Sequence, residues 1–243
     1  MDGAPTLPVV AAPRGGAAGL GSGPAPGPAP TLPAVAASRG GAAGFGSGPA
    51  PGRMPALAFS PELLLAARGP GAGIAAAIFD VDGVLTDGRI YIGEAGESFK
   101  AFSTLDGHGM KLLARGGIVP IVVTGRDSAA VRRRVADLGL VHAAYGAADK
   151  LAVSEAILAK LGLDWSRVAV IGDDWPDLPL MQRAAFACAP PGAHIETRAA
   201  AHHVTQAQAG FGAAREFCDL LLVAAGRYAA LLHGPLHPLD GAR

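Results

Sequence analysis

The chain has 243 residues, half of them hydrophobic, and 20 Lys and Arg balance 20 Asp and Glu. That neutrality excludes a strongly basic nucleic-acid binder, and two cysteines exclude a disulfide scaffold or a four-cysteine zinc site. The best apolar run, Gly71 to Phe79, has nine residues, too short for a membrane span. No basic segment followed by a continuous apolar core opens the chain, so a soluble cytoplasmic protein with free thiols and no membrane partner is expected.

Residues 1–53 hold 13 Gly, 13 Ala and 10 Pro, but only four charges. Residues 4–27 recur at 29–52 with three of 24 positions changed. A solenoid needs at least three repeats that bury a face, whereas here Pro and Gly break every helix or strand. Ordering such a segment costs roughly 1–2 kcal/mol per residue, with little to bury in return. It is read as disordered, either as a tether or as translation assigned upstream of a start at Met54. Neither GLGSG (19–23) nor GPGAG (69–73) is a dinucleotide fingerprint, since the first follows no strand and the second precedes one.

Residues 54–243 read as alternating strands and helices, one α/β domain. Ser60-Pro61-Glu62 starts a helix, and residues 74–80 form a buried strand ending in an acid. Residues 89–93 and 97–102 alternate around Glu94-Ala95-Gly96, a hairpin signal. A helix over 106–115 ends at Gly116-Gly117, and 118–123 is a second buried strand with Thr124 at its end. Ser128 caps a helix to about Leu138. A weak strand at 141–146 and a helix at 150–161 follow. The strand 168–172 leads into Asp173-Asp174, followed by a helix over 177–185, a strand at 186–189 and a last helix over 213–232. Continuous apolar strands between helices predict a Rossmann-like parallel sheet with helices on both faces. Ligands bind at the carboxyl ends of such strands, where this sequence puts its acids.

Four signals converge there. Asp80 and Asp82 follow the first strand, two acids suited to a nucleophile and a proton donor. Thr124-Gly125-Arg126 offers a hydroxyl and backbone N–H groups to a phosphoryl group. Lys150 is a cation at a helix start. Asp173, Asp174 and Asp177 cluster hard oxygen ligands of the kind Mg²⁺ takes, together with a phosphate.

The set DVDGVLTDG, VVTGR, Lys150 and GDDWPD resembles the haloacid dehalogenase-like phosphatase superfamily. GRIYIGEAGESFKAF, DGHGMKLL, YGAADKL and FGAAREFCDLL narrow the resemblance to its capless 3-deoxy-D-manno-octulosonate 8-phosphate phosphatase branch, over residues 60–227. The resemblance implies a phosphoric monoester hydrolase of lipopolysaccharide synthesis. Asp80 would attack phosphorus to give an aspartyl-phosphate, and Asp82 would protonate the leaving alcohol. Mg²⁺ would be held by the Asp80 carboxylate, the Asp82 carbonyl and Asp173, with Asp174 and Asp177 in support. Thr124 and Lys150 would bind phosphoryl oxygens, beside Gly125. Arg126, Arg134, Lys111, Asp106 and Gly107 match substrate-contact positions. The resemblance also implies a homotetramer.

Spacing adds an inference of its own. The 41 residues between Asp82 and Thr124 and the 23 between Arg126 and Lys150 leave no room for a separate lid domain. The 89–102 hairpin is the expected cover, lent to a neighbouring subunit. Two positions depart from the family pattern: Leu105 and Phe211 stand where relatives carry arginine, a residue suited to a sugar-acid carboxylate. A different sugar phosphate, or a silent phosphatase-like assembly module, is the alternative reading. A receiver domain uses similar residues, but its acid pair comes first in the chain, whereas Asp173-Asp174 come after Thr124 and Lys150. The spacing of His194, His202, His203 and Cys188 matches no zinc pattern, so surface or strand-edge places are expected. Asp174 and Thr124 each carry a bland alternative as caps of the helices that follow.

Overall fold

The computed structural model of the protein describes residues 57–234. The reading of residues 1–53 as a disordered repeat lies outside them.

A six-stranded parallel sheet forms the centre. Its strands are β1 (Ala76–Phe79), β4 (Val119–Val123), β5 (His142–Ala144), β6 (Val168–Ile171), β7 (Phe186–Ala189) and β8 (His203–Val204), in the order β5-β4-β1-β6-β7-β8. β1 is fully buried and pairs with β4 on one side and β6 on the other, with Phe79 opposite Val122 and Ile171. The chain leaves β1 for β4 on one side and later returns to β6 on the other. That reversal opens a crevice at the carboxyl ends of β1 and β6.

Both faces of the sheet are covered, which explains why its strands read as unbroken apolar runs. On one face Phe79 and Val122 pack with Met110, Leu113, Phe217 and Leu220, from helices α2 (Thr104–Arg115) and α7 (Ala213–Ala224). The Phe79 and Phe217 rings meet edge to face at 5.4 Å. On the other face Ile78, Ile121 and Val170 pack with Leu158, Leu180 and Met181, from α4 (Lys150–Leu161) and α5 (Leu178–Arg183). Helices α1 (Pro61–Arg68) and α3 (Ala129–Leu138) complete the shell, and α1 starts at the expected Ser60 cap.

Between β1 and α2 the chain inserts only the antiparallel hairpin β2 (Tyr91–Gly93) and β3 (Gly96–Phe99), which forms its own two-stranded sheet. No described helix is long and apolar enough to cross a membrane.

Four details correct the sequence reading. The second hairpin strand ends at Phe99, not at residue 102. α2 starts two residues early because the Ser103 hydroxyl accepts from the amides of Leu105 and Asp106. The last helix is broken in two, α7 and α8 (Tyr228–His233), at Gly226, whose φ of 70° leaves the helical region. The short α6 (Ile195–Ala200) and β8 had no periodic signal.

Candidate active site

Asp80 is the residue after β1, so the strand delivers its carboxylate into the crevice, where it is 6% exposed. Asp173 and Asp177 arrive from the loop after β6. One carboxylate oxygen from each of Asp80, Asp173 and Asp177 lies within 4.8 Å of the others. Lys150, at the first turn of α4, reaches into the same space. Its Nζ donates to Asp80 Oδ1 at 2.6 Å and to Asp177 Oδ1 at 2.7 Å.

Asp177 is the organiser of the loop. Its second oxygen, Oδ2, accepts from the amides of Asp173 at 3.1 Å and Asp174 at 3.5 Å. Both Asp177 oxygens are therefore engaged, which leaves Asp80 and Asp173 as the freer donors. Asp174 is exposed, at the cap position of the short 3₁₀ turn Trp175–Asp177. Glycine is required twice for this packing. A Cβ on Gly83 would overlap the Asp173 carboxylate, and one on Gly172 would overlap the Asp177 side chain.

One ammonium does not neutralise three closely packed carboxylates, two of them buried and Asp173 half-buried. Burial, then repulsion from Asp177, pushes Asp80 up to about 6, although Lys150 opposes this. Burial, then Asp80 and Asp177, pushes Asp173 up to about 8. Burial works against the Lys150 ammonium, but Asp80 and Asp177 outweigh it and hold its pKa above the usual lysine value. A cluster of hard oxygen donors that resists full ionisation suits a divalent cation such as Mg²⁺, which supplies the missing positive charge.

Asp82 comes round after the turn but is held elsewhere. Its Oδ1 accepts from Lys100 Nζ, and its Oδ2 stands 3.8 Å from Arg126 Nε. Thr124, at the end of β4, is 1% exposed. Its Oγ1 accepts from the Arg126 amide at 3.3 Å, so it closes a local turn, and Ser128 occupies the cap position of α3. Gly125 is exposed between them. Arg126 also donates to Glu97 Oε2 at 3.3 Å.

The expected rim is only partly there. Asp106 is 1% exposed, and its carboxylate accepts from the amides of Gly212 at 3.3 Å and Arg215 at 2.8 Å. It caps α7 from another helix rather than facing substrate, because free N–H groups at a helix start need a buried acceptor. Gly107 lets the Arg134 guanidinium lie against α2, where Arg134 Nη2 donates to Ser103 O at 3.0 Å. Lys111 is half-buried and makes no ion pair among the described residues. Leu105 and Phe211 are both exposed. Phe211 lines a depression of about 260 Å³ with Gly83, Asp87, Asp173 and Gln208.

Lys100 and Glu97 were not singled out by the sequence, and the hairpin, expected as a cover lent to a neighbouring subunit, meets Asp82, Arg126 and Ser128 of its own chain. The histidines and Cys188 form no metal group among the described residues. His194 accepts from Trp175 Nε1, His202 accepts from the Ala187 amide, and His203 pairs with Glu216. Cys188, expected at a surface or strand edge, is instead buried within β7, and both thiols are free.

No family profile matches the chain. It is 42% identical over 150 residues, 62% of its own length and 80% of the relative's, to the 3-deoxy-D-manno-octulosonate 8-phosphate phosphatase KdsC of Salmonella typhi. The crystal structure of that phosphatase from Moraxella catarrhalis, in complex with magnesium ion, phosphate ion and KDO, is 38% identical with a TM-score of 0.66, covering 70% of this chain and 96% of that one. The cobalt-bound enzyme of Haemophilus influenzae is 38% identical with a TM-score of 0.63, covering 65% and 92%. With this identity over most of the relatives' length, and with a parallel sheet whose strand ends carry the acids, the chain belongs to the 3-deoxy-D-manno-octulosonate 8-phosphate phosphatase family of the haloacid dehalogenase-like phosphatases.

Proposed function

We propose that the protein is a Mg²⁺-dependent phosphatase that hydrolyses 3-deoxy-D-manno-octulosonate 8-phosphate to the free sugar acid and phosphate, a cytoplasmic step of lipopolysaccharide synthesis. The observation that carries this reading is the meeting of Asp80, Asp173 and Asp177 around Lys150 at the ends of β1 and β6. Asp80 and Asp173 would hold the ion, with the Asp82 carbonyl as a further oxygen. Bound there, Mg²⁺ supplies positive charge between two anions that otherwise repel.

The chain's own residues do the rest. The Asp80 carboxylate attacks phosphorus, and the bond to the sugar oxygen breaks. Asp82 gives its proton to that oxygen, so an alcohol leaves and not an alkoxide. Water then attacks the aspartyl-phosphate as Asp82 takes its proton, which frees phosphate and restores Asp80. Lys150 stabilises charge on the transferring group. Thr124, Gly125 and Arg126 face the phosphoryl oxygens from the end of β4. Asp177 and Asp174 support the loop that carries Asp173.

A second reading keeps the chemistry and changes the sugar. Phe211 lines the depression beside Asp173, and an apolar ring there favours a leaving group without a carboxylate. Phosphate release across a panel of phosphorylated sugars and sugar acids, with and without Mg²⁺, decides between the two. Turnover of the octulosonate ester far above the others supports the first. No Mg²⁺-dependent release from any ester rejects both and leaves the silent assembly module. Residues 1–53 are proposed to lie outside the catalytic domain, 54–243. The same assay on residues 54–243 alone should give the same kcat, and a large drop would reject that division.

The assembly is proposed to be a homotetramer in which each hairpin, seated on its own crevice through Glu97 and Lys100, packs its exposed face against the next subunit. An isolated two-stranded hairpin is marginally stable, and this one exposes Ile90, Ile92 and Phe99. Light scattering should give about four times the chain mass. A monomer with full activity would contradict the arrangement.

A further inference from the structure

Lys100 follows β3, yet its side chain is only 1% exposed. Burying a lysine is costly unless its charge is paired, and here two acids meet it. Its Nζ donates to Asp82 Oδ1 and lies 3.3 Å from Glu97 Oε2. Glu97 is itself fixed, since it accepts from the Ser128 hydroxyl and from Arg126 Nη2 at 3.3 Å. Among the described residues, Lys100 is the one hydrogen-bond donor to the Asp82 side chain. The other oxygen, Asp82 Oδ2, is buried and accepts no hydrogen bond.

We propose that Lys100 is a positioning residue for proton transfer: the hairpin lysine grips Oδ1 of Asp82 and so assigns Oδ2 to carry the proton. This rests on the phosphatase reading above. Asp82 sits on a turn, where apart from Lys100 its side chain has only the longer 3.8 Å contact of Oδ2 with Arg126 Nε, and proton transfer falls off quickly with misplacement. A charge-assisted bond to one oxygen removes that freedom. The same bond serves both halves of the cycle, because Oδ1 is an acceptor whether Asp82 is acid or carboxylate. In the first half the Oδ2–H bond breaks as the sugar O–H forms, and the bond from phosphorus to the sugar oxygen opens as the Asp80 carboxylate bonds phosphorus. In the second, Oδ2 takes a proton from water as the water oxygen bonds phosphorus and the Asp80 carboxylate departs. Docking of the hairpin and protonation of the leaving group thereby become one event.

The test is a comparison of leaving groups. A sugar alkoxide leaves only with a proton, whereas para-nitrophenolate leaves without one. In the full chain with Mg²⁺, Lys100→Met should lower kcat for the sugar phosphate about 30-fold and for para-nitrophenyl phosphate less than about threefold. Lys100→Arg should restore at least about fivefold of the lost sugar-phosphate rate. Asp82→Asn should show the same split, and Lys100→Met added to Asp82→Asn should cost nothing more. Equal losses on both esters, or full additivity with Asp82→Asn, overturn the proposal. Should Lys100→Met fail to fold, Glu97→Gln, which frees Lys100 from its second acid, reads the same ratio, and an unaltered ratio again overturns it. Wild-type inactivity on both esters overturns the phosphatase reading itself.

Discussion

Replacing Asp80 with Asn is expected to lower phosphate release by at least about 10⁴-fold while the fold survives. An amide oxygen is a poor nucleophile and forms no acyl phosphate, so the loss falls on the chemical step. The fold should survive because Asn keeps the shape of the side chain. The electrostatics point the same way. Asp80 is pushed up to about 6, first by burial and then by Asp177, so at pH 7 it is mostly ionised but carries that charge at a cost to stability when no cation is bound. Asn resembles the neutral form. Without metal, the variant should therefore melt at or above the wild-type temperature at pH 7, and it should gain less from added Mg²⁺. Phosphate release and thermal melts in chelator and in Mg²⁺ read both effects. Hydrolysis within about tenfold of wild type would reject Asp80 as the nucleophile.

How much of this was legible in the sequence depended on the distance over which each contact forms. The strand ends were readable because continuous apolar runs stop at an acid or hydroxyl, and the sheet places those ends side by side. The convergence of Asp80, Asp173, Asp177 and Lys150 follows from that topology. The partners of individual carboxylates were not legible. Asp106 lies 109 residues before Arg215, whose amide it caps, and nothing local announces that bond. Asp82 and Lys100 are 18 residues apart, on opposite sides of a hairpin whose docking onto the crevice has no periodic signature. The division of Asp177 between Lys150 and the loop amides depends on Gly172, where a side chain would not fit. Breaks in helices were missed for a related reason. Ala213 to Leu232 is apolar enough to read as one helix, and only the conformation at Gly226 ends it.

Lys150→Met should damage both catalysis and stability, with opposite dependence on Mg²⁺. The ammonium is 7% exposed and bridges Asp80 and Asp177. Removing one partner from a buried ionic cluster typically costs about 3–5 kcal/mol, and loss of a cation that stabilises transition-state charge costs about 10²–10³-fold in kcat. The pH dependence has a definite sign. Metal-free wild type already holds Asp80 at about 6 and Asp173 at about 8, both above the ordinary aspartate value of 3.8. The folded chain therefore binds more protons than the unfolded chain between 3.8 and these values. Stability is fully present below the unfolded pKa and is lost as pH rises through the folded ones. Without Lys150 the carboxylates are pushed higher still, so the variant should lose melting temperature more steeply as pH rises. Mg²⁺ adds the charge that the lysine supplied to the cluster, so it should flatten that slope and recover much of the stability. It should not recover turnover, because the ammonium is also proposed to stabilise the transferring phosphoryl group. Melting curves from pH 5 to 8, with chelator and with Mg²⁺, check the slope, and phosphate release checks the rate. A variant whose melting temperature ignores pH would show that Lys150 is not what balances these acids.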